Sequence, residues 1–356
     1  MRNKIAIFLV VLFACIGSPV QAAIDSSGLE IAVAGDFTGE VGLEKDSEAT
    51  DDFRAREVEL IFFGPIDHQF DGLVSAAAHY ESGETLFELH ELTIGSSKLI
   101  PRSRFKLGQF FLGVGRLNRF HRHDWPFISA PKVHLEFFDA EGVIDRGGEF
   151  SMLPPLPFYL DITVGITSGW TYGHTHVEGE KPIMPTHYFR TSTFLEYDAI
   201  SGMEIGLNYL RRKAANKTDT RLTGIDWVSK SRHEKYVRYL VQGELWNRQV
   251  TTEAGANEQT VGFYVYPQYG FNSELYLGVR FDGYSVLSRK NIFGEKESNF
   301  AQSIVPTLTY SSSEFAKFRL AYNQSSETVK GEEVSSDKSL EFQATFILGA
   351  HPAHDF

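Results

Sequence analysis

Apolar side chains recur at every second position along most of this chain. In FYLDITVGITSGW, Phe158, Leu160, Ile162, Val164 and Ile166 fall on one face, and Tyr159, Asp161, Thr163, Gly165 and Thr167 fall on the other. MEIGLNYL puts Met203, Ile205, Leu207 and Tyr209 opposite Glu204, Gly206 and Asn208. ELYLGVRFD and LEFQATFIL repeat the arrangement. A period of two is the side-chain period of a strand with one apolar and one wet face. Roughly sixteen such segments follow one another, centred near 29–38, 54–64, 70–81, 85–94, 103–112, 143–153, 158–170, 187–198, 203–213, 221–231, 236–249, 259–270, 273–284, 299–311, 314–323 and 339–350. No helical period of useful length intervenes.

The connections alternate as well. Short links such as AISG, RHE and SSSE take turns with long ones near 40–52, 115–141, 171–186, 250–258, 286–297 and 324–337. A soluble β-sandwich also alternates. It does not need an apolar stripe on every strand, nor long connections gathered at one end. The pattern therefore predicts an all-β fold, an antiparallel transmembrane β-barrel of about sixteen strands in a bacterial outer membrane, with membrane lipid around it. With an even strand number both ends of the chain lie on the periplasmic side. Closure pairs every edge and satisfies every backbone group, so the barrel needs no covalent staple. That matters because the one cysteine, Cys15, lies in a stretch that reads as a secretory signal peptide: Arg2 and Lys4, a short apolar run, and VQA before a cleavage point after Ala22. The expected division is a signal peptide over 1–22 and a barrel over 23–356.

The formal net charge of −12 argues against a nucleic-acid partner. A barrel of this size is wide enough for an aqueous channel. The wet faces carry both signs of charge, among them Glu57, Glu59, Arg190, Glu204, Arg238, Glu244, Arg280 and Asp282, and give no clear ion selectivity. The longest connection, GRLNRFHRHDWPFISAPKVHLEFFDAEG, is expected to fold inward and narrow the pore. Its first half is basic, with Arg116, Arg119 and Arg122 beside Asp124. Its second half turns acidic at Glu136, Asp139 and Glu141. These four residues of the first half, with Arg190, Arg238 and Arg280 from the strands, are the expected constriction and lumen set.

KLGQFFLGVGRLN and EGVIDRGGEFSMLPPLPFYLDITVGITSG resemble the phosphate-selective porin superfamily. GRLNRFHRHDWPF, GHTHVEG, PTHYFR and GAHPAHDF resemble the recurrent segments of proteobacterial proteins called zinc-regulated outer-membrane receptors. This second resemblance covers most of the mature chain and implies a Gram-negative outer-membrane barrel connected with zinc supply. It does not name the solute. Energised receptors have about 22 strands and a plugged lumen, so sixteen segments fit a passive or facilitated pore better. The resemblance to porins admits a homotrimer. It also gives Phe356 a role, because a C-terminal aromatic on an alternating strand is what the outer-membrane assembly machinery reads, by strand addition to an open edge.

Twelve histidines remain. His121 and His123 lie in the long connection; His174 and His176 lie in the one after the seventh strand, near His187; His351 and His354 lie near the end. An H-x-H pair on a strand turns both rings to one face, and imidazole is a natural zinc ligand. His121, His123, His174 and His176 are therefore the candidate metal ligands, for transient Zn2+ and not a required cofactor. The alternative is that they are polar pore and rim residues making hydrogen bonds. GITSGW lacks the Gly-x-Ser-x-Gly elbow and GVGRLN is no phosphate loop, so an enzyme is not expected. His187 with Ser192 is the one pair a rim hydrolase could use. The reading is a porin-like channel for small hydrophilic solutes or ions, with zinc or another divalent cation as the sharper expectation. An anion-selective porin and a non-transport barrel for adhesion or binding are the alternatives.

Overall fold

The alternating segments become strands whose apolar face looks outward. The structure, a computed structural model, describes residues 28–44, 47, 49, 51–81, 84–170, 180–290, 296, 297, 299–329 and 332–350. Sixteen long strands form one closed antiparallel barrel. They are β1 (Glu30–Gly42), β2 (Asp52–Pro65), β3 (Asp71–Glu81), β4 (Glu84–Ser96), β5 (Ser103–Phe111), β6 (Ile144–Met152), β7 (Asp161–Thr167), β8 (Met184–Asp198), β9 (Ser201–Lys213), β10 (Asp219–His233), β11 (Tyr236–Thr251), β12 (Asn257–Gly270), β13 (Leu275–Lys290), β15 (Asn299–Ser313), β16 (Ala316–Val329) and β17 (Glu332–Gly349). A two-residue piece, β14 (Lys296–Glu297), pairs antiparallel with the end of β13. Each long strand pairs with its sequence neighbours, and β1 closes on β17 from Ala32 opposite Gly349 to Gly42 opposite Ser339.

Outward apolar residues stay half exposed to the surroundings: Ile166 at 58%, Leu207 at 52% and Leu245 at 49%. Leaving such side chains in water would cost each roughly 1 kcal/mol of unrealised burial, so the band belongs in lipid. Aromatics such as Tyr239, Phe271 and Tyr310 flank it.

Two expectations need correction. Long connections do not occupy one end throughout, because β3–β4 and β16–β17 are joined through 82–83 and 330–331 alone. The expected long loop at 324–337 is ladder, running from Asn323 opposite Ser339 to Val329 opposite Glu332. Its residues lack an apolar stripe, and backbone pairing beyond the lipid does not require one. A helix also exists where none was expected: α1 (Lys132–Phe138), inside the long connection. At seven residues it is too short to display a period, and packing holds it. The signal-peptide region, His174, His176, His351, His354 and Phe356 lie outside the described residues.

Candidate metal centre

Residues 112–143, between β5 and β6, fold back into the barrel. Leu112, Val114, Leu117, Trp125, Phe127, Val133, Phe137 and Phe138 meet Tyr188, Leu210, Leu222, Trp246, Tyr264 and Tyr266 from the wall strands β8–β12 in one buried apolar cluster. One side of the loop is therefore dry packing against strand faces that the sequence suggested were wet. The backbone of the loop is tied down by wall carboxylates. Glu244 Oε1 accepts from the N–H of Arg116 at 2.6 Å and of Leu117 at 2.7 Å, and Glu244 Oε2 accepts from Trp246 Nε1 at 2.6 Å. Asn208 Oδ1 accepts from Gly115 N at 2.8 Å, and Asp282 Oδ1 from Lys132 N at 2.6 Å. Gly115 has φ +66, and a Cβ there would stand 2.8 Å from Trp246, so glycine is what lets the loop reach these acceptors.

His134 of α1 belongs to this apolar side. Its ring lies 4.7 Å from Trp125 and 5.4 Å from Phe138, and neither ring nitrogen finds a hydrogen-bond partner among the described residues. Burial, with the charge of Arg122, pushes its pKa down to about 3. Two unsatisfied polar atoms cost more than they return. His134→Phe should therefore leave stability unchanged or raise it by about 1 kcal/mol in denaturant unfolding. A loss of that size instead would mean the imidazole has a polar task.

The opposite side of the loop is ionic. His121 and His123 face β2, β3 and β4, where Ser75 and Ala77 are small and leave room. His121 Nδ1 lies 3.0 Å from Glu59 Oε1, and its Nε2 lies 3.1 Å from Glu91 Oε2. His123 Nδ1 lies 3.5 Å from Glu59 Oε2 and 3.7 Å from Glu57 Oε1, with Asp124 Oδ2 3.4 Å from Nε2. His90 Nδ1 lies 3.6 Å from Glu59 Oε1, and His79 Nε2 lies 2.8 Å from His90 Nε2. His79 Nδ1 in turn lies 3.7 Å from Glu141 Oε1. Glu57 and Glu59 are 2% and 0% exposed, yet Glu57 Oε1 and Glu59 Oε2 accept no hydrogen bond among the described residues. Buried carboxylate oxygens in that condition are expensive.

Two β-bulges aim these side chains. In the β1–β2 ladder Asp36 faces Glu57 and Phe37 faces Ala55, so Arg56 is the extra residue. In the β3–β4 ladder Ser75 faces Glu91 and Ala76 faces Leu89, so His90 is extra. Each bulge shifts the alternation by one, letting neighbours Arg56 and Glu57, and likewise His90 and Glu91, point inward together. Arg56 pairs with Asp36 and reaches the carbonyl of Ile128 at 2.8 Å, closing the loop against β1 and β2.

Burial works against charge on His121, but Glu59 and Glu91 more than offset it and hold the imidazole well above its ordinary pKa. Burial likewise opposes charge on His123, and Asp124, Glu57 and Glu59 lift it to about 9. Two imidazolium charges thus offset the buried carboxylates. A divalent cation carries the same charge as the two protons it would displace. Four ligand atoms, one each from Glu57, Glu59, His90 and His121, lie within 4.8 Å of one another, as do three from His79, His90 and Glu141. Ligands of a tetrahedral ion with bonds of about 2.1 Å stand about 3.4 Å apart, so shifts of roughly 1 Å complete either set.

The expected lumen residues divide. Arg116 packs over Phe120 and reaches Gln242; Arg119 donates to the carbonyl of Gly115 at 3.0 Å; Arg122 faces Glu141 at 3.9 Å. Arg190 pairs with Asp226 at 2.9 Å and Glu204 at 2.7 Å, and Arg280 with Asp282 at 2.7 Å. Charges expected to need water are therefore largely paired with one another. Arg238 stands apart, at the short-turn end against Tyr236. His187 and Ser192 face opposite sides of β8, Ser192 being buried against Arg190, so they form no dyad. Glu57, Glu59, His79, His90 and Glu141 were not among the candidate ligands expected from the sequence. A signal for the bulge exists in FELHELTI, where the apolar positions run Phe87, Leu89, then Leu92, Ile94, a break of phase at His90 and Glu91.

The fold is that of an outer-membrane porin. The structure is similar to OmpF of Salmonella typhi, determined as a complex with daunomycin, with a TM-score of 0.62 at 12% identity over 91% of this chain and 99% of that one. It is similar to the outer-membrane channel DcaP of Acinetobacter baumannii, with a TM-score of 0.61 at 10% identity over 90% and 96%. Identities this low establish the shared porin architecture alone. No protein-family model matches the chain. Over 343 residues it is 26% identical to an uncharacterised protein of Aquifex aeolicus, covering 85% of this chain and 70% of that one.

Proposed function

We propose that this porin-fold barrel is a channel for small hydrophilic solutes whose favoured cargo is a divalent transition-metal cation of the zinc class. One observation carries the reading: the Glu57, Glu59, His90 and His121 set, with its two carboxylate oxygens that accept no hydrogen bond among the described residues, buried inside the lumen wall. Mixed imidazole and carboxylate donors suit Zn2+ and its first-row neighbours, whereas Mg2+ and Ca2+ prefer oxygen alone. The resemblance to zinc-regulated outer-membrane receptors points the same way. The anion-pore alternative is weaker, because Arg190 and Arg280 are already paired with carboxylates.

Single-channel recording in planar bilayers tests the proposal. The expected result is stepwise conductance that micromolar Zn2+ blocks, with the block lost in a His121→Ala, His123→Ala double variant. Conductance indifferent to Zn2+ would leave a general porin. Properly folded barrel that does not conduct would favour the adhesion or binding reading.

A further inference from the structure

The cluster has a direction as well as a composition. Resting on the metal reading above, we propose that it is two overlapping half-sites that share His90 and pass one divalent cation across the barrel, from a cavity at the loop end to a cavity at the turn end. The outer half-site is His79, His90 and Glu141, and the inner one is Glu57, Glu59, His90 and His121.

The order of the donors supports this. Glu141 Oε1 lies 3.7 Å from His79 Nδ1, and His79 Nε2 lies 2.8 Å from His90 Nε2. His90 then turns its other nitrogen, Nδ1, to Glu59 Oε1 at 3.6 Å. His121 repeats the device, with Nδ1 3.0 Å from Glu59 and Nε2 3.1 Å from Glu91. Each ring thus presents one nitrogen to the group before it and one to the group after it. The ends of this series open into different spaces. A cavity of about 320 Å³, lined by Glu40, Asp52, His79, Arg122 and Glu141, lies toward the ends of β1 and β2 that carry the 43–51 connection. A cavity of about 630 Å³, lined by Asp71, Glu91, Thr93 and Lys106, lies toward the turns after β2 and β4. Glu59 and His90 line neither and sit between them.

A single closed set of four ligands stores an ion. Partial sets that share a ligand let each broken bond be replaced nearby, which is the condition for throughput. His90 also limits occupancy. Neutral imidazole has a lone pair on one nitrogen and a proton on the other. It therefore ligates on one side at a time. When the ion crosses from Nε2 to Nδ1, the proton on Nδ1 passes to the carboxylate of Glu59, and one arrives on Nε2 by way of His79, which lines the outer cavity.

The test uses the refolded full barrel with Zn2+ alone as probe. Titration calorimetry reads stoichiometry and affinity, and a zinc-sensitive dye inside proteoliposomes reads flux. Wild type should bind one ion. His79→Ala and His121→Ala should each retain one ion with affinity lowered about tenfold, and each should cut flux about tenfold or more. His90→Ala, which touches both half-sites, should lower affinity about a hundredfold. Heat-modifiable gel migration checks folding, and Glu141→Gln replaces His79→Ala if that variant does not fold. Two ions bound at once by wild type would overturn the relay while leaving the metal reading intact. So would His79→Ala and Glu141→Gln with wild-type flux. A folded wild-type barrel that binds no Zn2+ would remove the metal reading itself, and the relay with it.

Discussion

Glu244→Ala should unseat the inward loop while the barrel stays closed. The carboxylate of Glu244 holds three donors at once, the backbone N–H of Arg116 and Leu117 and the indole N–H of Trp246. Hydrogen bonds to a charged group are worth about 1.5–3 kcal/mol each, and donors left buried without an acceptor cost more than the bonds themselves returned. The combined effect, about 4–5 kcal/mol after allowance for relaxation, is at the exceptional end for one substitution. The loss falls on the loop, because the β10–β11–β12 ladders are backbone bonds that the side chain does not make. Trypsin should then cut after Arg116, Arg119 or Arg122, all protected in the wild type, and single-channel conductance should rise severalfold. Glu244→Gln keeps an acceptor and should fall between the two. Unchanged protease protection and conductance in Glu244→Ala would show that the apolar cluster around Trp125 and Phe138 seats the loop unaided.

Glu59→Gln should lower metal affinity a hundredfold or more without disturbing the fold. Glu59 is the centre of the ionic side: its oxygens face His90, His121 and His123, and Ser75 donates to Oε1. Glutamine has nearly the same shape, so packing survives, but the charge that attracts a cation is gone and an N–H2 group now faces the imidazoles. Affinity for Zn2+ should fall a hundredfold or more, beyond the roughly 10–100-fold typical of supporting residues. Calorimetry on the folded variant reads it directly. Affinity within about threefold of wild type would mean that the ion, if bound, sits on the outer half-site alone. The matching control is Glu91→Gln: Glu91 pairs with His121 Nε2 and belongs to neither half-site, so this change should cost less.

Much of this molecule is legible from one periodicity. Phe158 to Ile166, Met203 to Tyr209 and Leu275 to Phe281 mark the lipid face wherever the strand lies in the membrane. The polar ends of β16 and β17 escape that reading, since beyond the lipid nothing selects an apolar residue. The long connection after β5 stood out by length and by its Arg and His content, and it does fold inward. Its helix did not stand out, because seven residues make fewer than two turns. His121 and His123 were recognisable as candidate ligands by type and spacing; His174 and His176 lie outside the described residues.

The sequence by itself determined the strand count, the antiparallel order and which face meets lipid, because each follows from a local period of two repeated in every segment. Only the tertiary structure decided what the histidines are near. Glu59, His79, His90, His121 and Glu141 come from three strands and two ends of one loop, so their meeting depends on ring closure and on the loop turning inward. It depends also on two bulges, since a one-residue shift of phase sends a side chain from lipid to lumen. The acceptors that hold the loop, Glu244 and Asp282, lie more than a hundred residues from the N–H groups they bind. No local pattern encodes that distance; the closed barrel supplies it.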